Sequence, residues 1–164
     1  MIDQRQELIL ESRLESLHEI EHFVEEIGDY YNINNTYFGN ILVALTEAFK
    51  NAAIHGNKLD PDKKVTIVFQ QVANGLAFSV QDEGTGFDPS IIPDPTDLEE
   101  SEATQKGLYL IKKLSDNVVF KEGGAKLDIS FRISGINYEL GVQRANMLHQ
   151  YFNVTEKKNQ HSEH

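Results

Sequence analysis

The 164-residue chain contains no cysteine. That removes a disulfide scaffold, a thiolate metal site and a cysteine nucleophile together. No apolar run reaches the ~20 residues that a membrane-spanning helix needs. The opening residues, Met1-Ile2-Asp3-Gln4-Arg5-Gln6-Glu7, have neither the basic start nor the apolar run of a secretory signal. The expectation is a cytoplasmic protein without a membrane partner. Positive charge is also scarce: Lys+Arg number 15 against 26 Asp+Glu, a formal net charge of −11 at pH 7. Such a surface repels nucleic acid over most of its area, and no basic stripe with interleaved aromatics offsets it. A bound nucleotide remains compatible, because phosphates are held by local backbone dipoles and a metal ion. Internal repeats are missing, and so is the Gly-x-x-x-x-Gly-Lys-Ser/Thr loop of P-loop enzymes.

What is present is ordinary globular material, 40% hydrophobic and 25% charged, long enough for one well-cored domain plus an appendage. Leu8, Leu10 and Leu14 fall on alternate positions and predict an edge strand over 7–14. From Ser16 the period changes, and Leu17, Ile20, Val24, Ile27 and Tyr31 mark one helical face, with Gly28 near that helix's end. A second helix is predicted to open at Thr36 as N-cap and to run to about Gly56. Two alternating strands, 64–70 and 76–81, flank the hairpin signal Asn74-Gly75. Residues 82–106 have no apolar period and are rich in Gly, Pro, Asp, Ser and Glu, the profile of a long functional loop. Gly107 then opens a short helix carrying Leu110, Ile111 and Leu114. Strands 118–121 and 126–134 follow, turned by Gly123-Gly124. This order predicts the α/β class: a two-layer α/β sandwich whose mixed, mostly antiparallel sheet is covered on one face by helices. The domain is expected over 1–134, a helical appendage over 135–155 and a polar, disordered tail over 156–164. In the appendage Leu140, Met147, Leu148, Tyr151 and Phe152 recur at helical intervals. A helix packed on its own domain is the first reading of that segment, and a homodimer contact is the second.

The second helix has two faces. At about 100° per residue, Phe38, Leu42, Leu45, Phe49 and Ala52 share one side. Glu47 and Asn51, at i,i+4, share the other. An isolated pair of this kind is an ordinary solvated face. A carboxylate beside a carboxamide also suits a magnesium-nucleotide site, where the amide oxygen is a hard ligand for Mg²⁺ and the carboxylate accepts a proton from an attacking water or hydroxyl. Downstream, strand 76–81 runs straight into Asp82-Glu83-Gly84-Thr85-Gly86-Phe87. Alone, that is a surface turn. Beside the first pair it places a carboxylate where it can accept the exocyclic amine of adenine, with glycines leaving room for the base. Gln105-Lys106-Gly107 then falls at a predicted helix start, whose free N–H groups favour phosphate.

Three ordered segments carry a resemblance. Leu45-Thr46-Glu47-Ala48-Phe49-Lys50-Asn51-Ala52-Ala53-Ile54-His55-Gly56-Asn57 resembles the N-box of GHKL ATPases, the nucleotide module shared by gyrase B, MutL and the histidine kinases. Asp82 to Phe87 resembles their G1 box, and Gly107-Leu108-Tyr109-Leu110-Ile111-Lys112-Lys113-Leu114 their G2 box. The His-Gly-Asn ending and compact size are most similar to the bacterial anti-sigma factor and serine-protein kinase branch, the RsbW and SpoIIAB type. The resemblance spans about Glu7 to Ile133. It implies ATP or ADP with Mg²⁺ as cofactors, Glu47 as general base, Asn51 as Mg²⁺ ligand and Asp82 as the adenine-reading carboxylate. Gly84 and Gly86 would shape the adenine pocket, while Lys106, Gly107 and Leu108 would hold phosphate. His55 matches the N-box histidine and is assigned a structural place at the helix end. A sigma factor and an antagonist protein are the implied partners, with the antagonist's serine as phosphoryl acceptor. Three positions depart from the pattern. Gln105 stands where a glycine is common, no arginine lies near Ala103, and Gly124-Ala125-Lys126 replaces a Gly-Thr pair.

Other signals carry less. His18-Glu19-Ile20-Glu21-His22 fits the zinc-protease pattern His-Glu-x-x-His, but its histidines lie opposite the Leu17, Ile20 and Val24 stripe with no third ligand nearby. The sequon Asn153-Val154-Thr155 has no bearing without secretion. A sensor histidine kinase fragment is disfavoured because no phospho-acceptor helical hairpin precedes the domain. The reading that competes with a kinase is a nucleotide-dependent or degenerate protein-binding regulator that performs no phosphoryl transfer.

Overall fold

Residues 4–84, 103–133 and 146–153 are described by the computed structural model. The chain divides into two compact units, Met1–Ser134 and Gly135–His164. In the first unit the elements run β1 (Arg5–Glu11), α1 (Leu17–Tyr31), α2 (Asn35–Lys50), a π-helical turn (Asn51–Gly56), β2 (Lys64–Val72), β3 (Gly75–Gln81), α3 (Ala103–Leu114), β4 (Asn117–Lys121) and β5 (Lys126–Arg132). The five strands form one sheet in the order β1-β2-β3-β5-β4. Every pairing among the described strands is antiparallel, so no parallel pair occurs there. The fold is the α/β sandwich expected.

Alternation decides which side of the sheet is buried. Val65, Ile67 and Phe69 of β2, Leu76, Phe78 and Val80 of β3, and Leu127, Ile129 and Phe131 of β5 are all buried, because successive strand side chains point to opposite faces. Phe69, Phe78 and Phe131 stack across the three central strands with centroids 5.4 and 6.1 Å apart. Ile20, Phe23, Val24 and Ile27 of α1 are buried, as are Ile41, Ala44, Leu45, Ala48 and Phe49 of α2. The opposite sheet face keeps polar and small residues such as Thr66, Ser79, Asp128 and Ser130, all half-buried. No described helix is long and apolar enough to cross a membrane.

Several local endings differ from the sequence expectations. The α2 N-cap is Asn34, not Thr36: its side chain accepts from Tyr37 N–H at 3.0 Å, satisfying one of the free donors of the first turn. Helix α1 ends at Tyr31, soon after Gly28 as expected, with Asn32 as its C-cap in the left-handed conformation at φ 52°. Beyond Lys50 the expected α-helix widens into a π turn, closed by Asn57 N–H donating to Ala52 O at 2.8 Å. The β2–β3 hairpin also departs from its signal. Its closing pair is Val72↔Gly75, so the loop residues are Ala73 and Asn74, one position earlier than the Asn-Gly signal implies. Gly75 has another purpose: a Cβ there would collide with the backbone carbonyl of Phe131 on β5.

In the second unit residues 146–153 form a helix, α4. Met147, Leu148, Tyr151 and Phe152 are all exposed on it. The remainder of the predicted appendage and tail, 135–145 and 154–164, lies outside the described residues.

Gly75→Ala is expected to destabilise the first unit by about 1–3 kcal/mol, the usual cost of forcing atoms into a packed site. Urea denaturation should show a lower midpoint at unchanged slope. A midpoint equal to that of the parent chain would mean that β3 and β5 separate without cost.

Candidate functional site

The C-terminal end of β3 and the π turn after α2 meet at a pair of glycines. A Cβ on Gly56 would overlap the carboxylate of Asp82, and one on Gly84 would overlap the carbonyl oxygen of Gly56. Only bare backbone permits this approach. Asp82, 7% exposed, is thus seated in a notch of main chain. Its N–H donates to Ala125 O at 2.9 Å, and its Oδ1 accepts from Gly84 N–H at 2.7 Å.

Asn57 holds this corner together. Only 1% exposed, it donates from Nδ2 to Ser12 Oγ at 2.9 Å and to Lys64 O at 3.0 Å, and its Oδ1 accepts from Glu83 N–H at 2.8 Å. Ser12 Oγ in turn donates to Lys63 O at 2.6 Å. The residue after Asp82 is thereby tied to the start of β2, the exit of β1 and the π turn. Ser12 did not stand out in the sequence, and Asn57 did so only as the end of the His-Gly-Asn motif, with no hydrogen bonds assigned to it.

At the other end, α3 lies on α2. Gly107 backs onto Glu47, so closely that a Cβ would stand 2.7 Å from Oε2. Glu47 Oε1 lies 3.6 Å from Lys50 Nζ, and its side chain is 22% exposed. Asn51 keeps the α-helical relation to Glu47, its N–H directed to the carbonyls of Ala48 and Glu47. The face predicted to be open is therefore covered: Asn51 is 6% exposed and its Nδ2 has no hydrogen-bonding partner among the described residues. The cover arises because α2 packs against α1, α3 and β3 at once, a crowding that no single-helix periodicity reveals. Phe38 and Leu42, on the face expected to be buried, are only half-buried.

Helix α3 begins at Ala103, not at Gly107. Its first four N–H groups, those of residues 103–106, are the ones without an intrahelical partner. Gly107 and the buried Leu108 lie inside the helix, and Lys106 is exposed. Gly86 and the rest of segment 85–102 lie outside the described residues. His55 is exposed at the end of the π turn, and His18 and His22 are exposed on α1.

Taken together, the structure brings Asp82 and Gly84 to one corner, with Gly56, and Glu47, Asn51 and Gly107 to a second on the same helix. Asn51's buried, unsatisfied amide and the main-chain notch around Asp82 fit a polar ligand that presents an amine at one end and anionic oxygens at the other.

The family described as the histidine kinase-like ATPase domain matches residues 10–132. Among solved structures, the chain is similar to the histidine kinase domain of the blue-light activated histidine kinase from Erythrobacter litoralis EL346. That match has 15% identity and a TM-score of 0.48, over 82% of this chain and 66% of that one. The chain thus spans just under two thirds of that structure's length. No curated protein matches the sequence.

Burial pushes the Asp82 carboxyl above its ordinary value of 3.8, against the opposing pull of the Gly84 N–H and the Lys63 charge. The folded chain therefore keeps this proton to higher pH than the unfolded one does. Stability from the protonated group is complete below 3.8 and is lost as pH rises through the folded value. At neutral pH the buried charge is a cost that Asp82→Asn removes, while leaving an oxygen for Gly84 N–H. Without nucleotide, the variant is expected to have the higher urea midpoint at neutral pH, with the gap closing as pH falls toward 3.8. A variant less stable than the parent at neutral pH would contradict this.

Proposed function

The chain belongs to the histidine kinase-like ATPase domain family, and on that premise we propose that it binds Mg-ATP and transfers the γ-phosphoryl group to a serine of an antagonist protein. In this reading it also sequesters a sigma factor, as an anti-sigma regulatory factor whose grip depends on the antagonist's phosphorylation state. The observation that carries the nucleotide part is Asp82, a buried carboxylate at a strand end, seated against Gly56 and Gly84. A carboxylate oxygen accepts, so it suits the N–H of an exocyclic amine. The kinase and partner parts rest on the similarity of the Glu47 to Asn57 segment to the anti-sigma branch.

The residues fit the group they would hold. The Asn51 amide would supply one ligand to Mg²⁺, which keeps most of its waters and otherwise binds phosphate oxygens. When bound, the metal neutralises charge developing on the phosphates. Glu47 takes the proton of the attacking hydroxyl, and Gly107 leaves space for that carboxylate to stay between α2 and α3. The exposed ammonium of Lys106 adds charge at the free N–H end of α3. Positioning and electrostatics supply the acceleration.

A second reading is a regulator that binds nucleotide and partner without transfer. Gln105 favours it, because a long side chain occupies a position where the resemblance calls for glycine.

Calorimetric titration of ATP and ADP with Mg²⁺ is expected to give saturable binding that disappears in Asp82→Ala. Glu47→Ala should keep nucleotide affinity within about threefold and lose phosphoryl transfer by about 10²-fold or more. The candidate acceptor is the antagonist, to be sought among the products of neighbouring genes. Nucleotide binding by the parent chain with no transfer to any of them would favour the second reading. No binding at all would remove both.

A further inference from the structure

Strand β1 is an edge of the sheet: it pairs with β2 on one side and with no described strand on the other. The register shows which of its backbone groups are in use. Arg5 stands opposite Gln70, so Gln4 stands opposite Gln71, and Gln71 N–H donates to Gln4 O at 2.9 Å. Bonded and non-bonded pairs alternate along an antiparallel ladder. Gln6, Leu8 and Leu10 therefore bond β2, while the N–H and C=O groups of Arg5, Glu7, Ile9 and Glu11 point away from it. Of these, Glu11 O already accepts from Arg13 N–H and from Ser16 Oγ, both at 2.9 Å. The others have no backbone partner among the described residues.

The same four residues carry exposed side chains, Ile9 at 59%. Charges on an edge ordinarily discourage pairing with another strand. Their spacing here favours one partner, a second copy of β1 running antiparallel. Residues with free backbone groups have to face residues with free backbone groups, so the register must be centred on a residue and not between two. Centring on Glu7 sets Glu7 against its own copy, and centring on Ile9 sets Glu7 against Glu11. Both oppose like charges. Centring on Leu8 sets Arg5 against Glu11 at both ends, lays the Glu7 stem on Ile9, and overlaps the whole strand. Leu8, half-buried in the single chain, then meets its own copy in a non-hydrogen-bonded pair, where side chains approach most closely. The opposite edge, β4, is shorter, and its one charged side chain, Lys121, is held by Asp128 at 2.6 Å.

We propose that two copies of the chain associate through β1, antiparallel about Leu8, into one continuous sheet. The two-fold axis passes through the Leu8 pair perpendicular to the sheet, so both helical layers lie on the same side. Ile9 N–H donates to Glu7 O of the second copy, Glu7 N–H to its Ile9 O, and Glu11 N–H to its Arg5 O. The inference uses no residue of the nucleotide reading and stands or falls without it.

Sedimentation equilibrium of the full chain without nucleotide, from about 1 to about 200 µM, tests this. A monomer–dimer equilibrium is expected. Ile9→Pro removes an N–H that β2 does not use, so circular dichroism should show the fold retained. Its dimer should be weaker by at least about tenfold, since the two-fold loses that bond twice. Arg5→Glu and Glu11→Lys should each weaken the dimer by about tenfold. An equimolar mixture of those two should recover a mixed dimer of parental strength, because both charge pairs are then opposite; damage to the fold would give no such recovery. A parent chain that stays monomeric throughout would overturn the proposal. So would a folded Ile9→Pro that dimerises like the parent, which would put the contact on another surface. If the proline variant unfolds, the charge variants decide: single reversals that dimerise like the parent, or a mixture no stronger than either alone, would overturn it.

Discussion

The carboxamide of Asn57 is the joint on which the Asp82 corner depends. Its two donors and one acceptor reach the exit of β1, the start of β2 and the residue after Asp82. Each of those segments is irregular backbone leaving a regular element, so each has polar groups that the sheet and helices do not satisfy. Burying them is tolerable only where every one has a partner. A single buried side chain able to donate and accept at once meets that condition. The π turn before it delivers Asn57 to this point. An α-helix continued to Gly56 would turn the backbone less widely, and the glycine would no longer face the Asp82 carboxylate.

Glycine acts throughout the site by allowing contact. Gly56, Gly84 and Gly107 each stand where a Cβ would meet a carboxylate or a main-chain carbonyl. The result is a pair of corners, one built around Asp82 and one around Glu47, in which carboxylates sit against bare backbone. Such places are costly to the fold. Desolvation disfavours the charge on Asp82, and amide atoms of Asn51 and Gln105 have no partner among the described residues. Costs of this kind are retained in proteins chiefly where a ligand repays them.

Much of the fold was legible because period and burial coincide. Val65, Ile67 and Phe69 alternate in sequence and lie on one sheet face, and so do Leu127, Ile129 and Phe131. The ends of elements were harder to read. Thr36 and Asn34 are both good caps, and only the hydrogen bond to Tyr37 N–H chooses between them. At Asn74-Gly75 the turn shifted by one residue because β5, remote in sequence, needs the close approach at Gly75. The start of α3 moved to Ala103 for a related reason: residues 103–106 show no apolar period, so nothing local announces a helix there. Of the candidate site, Glu47, Asn51, Asp82, Gly84 and Gly107 could be picked out by residue type and spacing. Asn57, Ser12 and Gly56 could not be assigned their parts, since their hydrogen bonds and contacts join segments up to 51 residues apart.

By itself the sequence determined the class of the protein and the residues able to do chemistry. Strand alternation, helix periodicity and the order of the three polar motifs are local properties, set by side-chain size and polarity along a short stretch of chain. The tertiary structure decided which of those residues share a corner and which are hidden. It backed Glu47 with Gly107 of α3 and Asp82 with Gly56, and left an Asn51 donor and a Gln105 acceptor without a partner among the described residues. Burial and pairing depend on what the rest of the chain brings within a few ångströms, and sequence spacing carries no record of that.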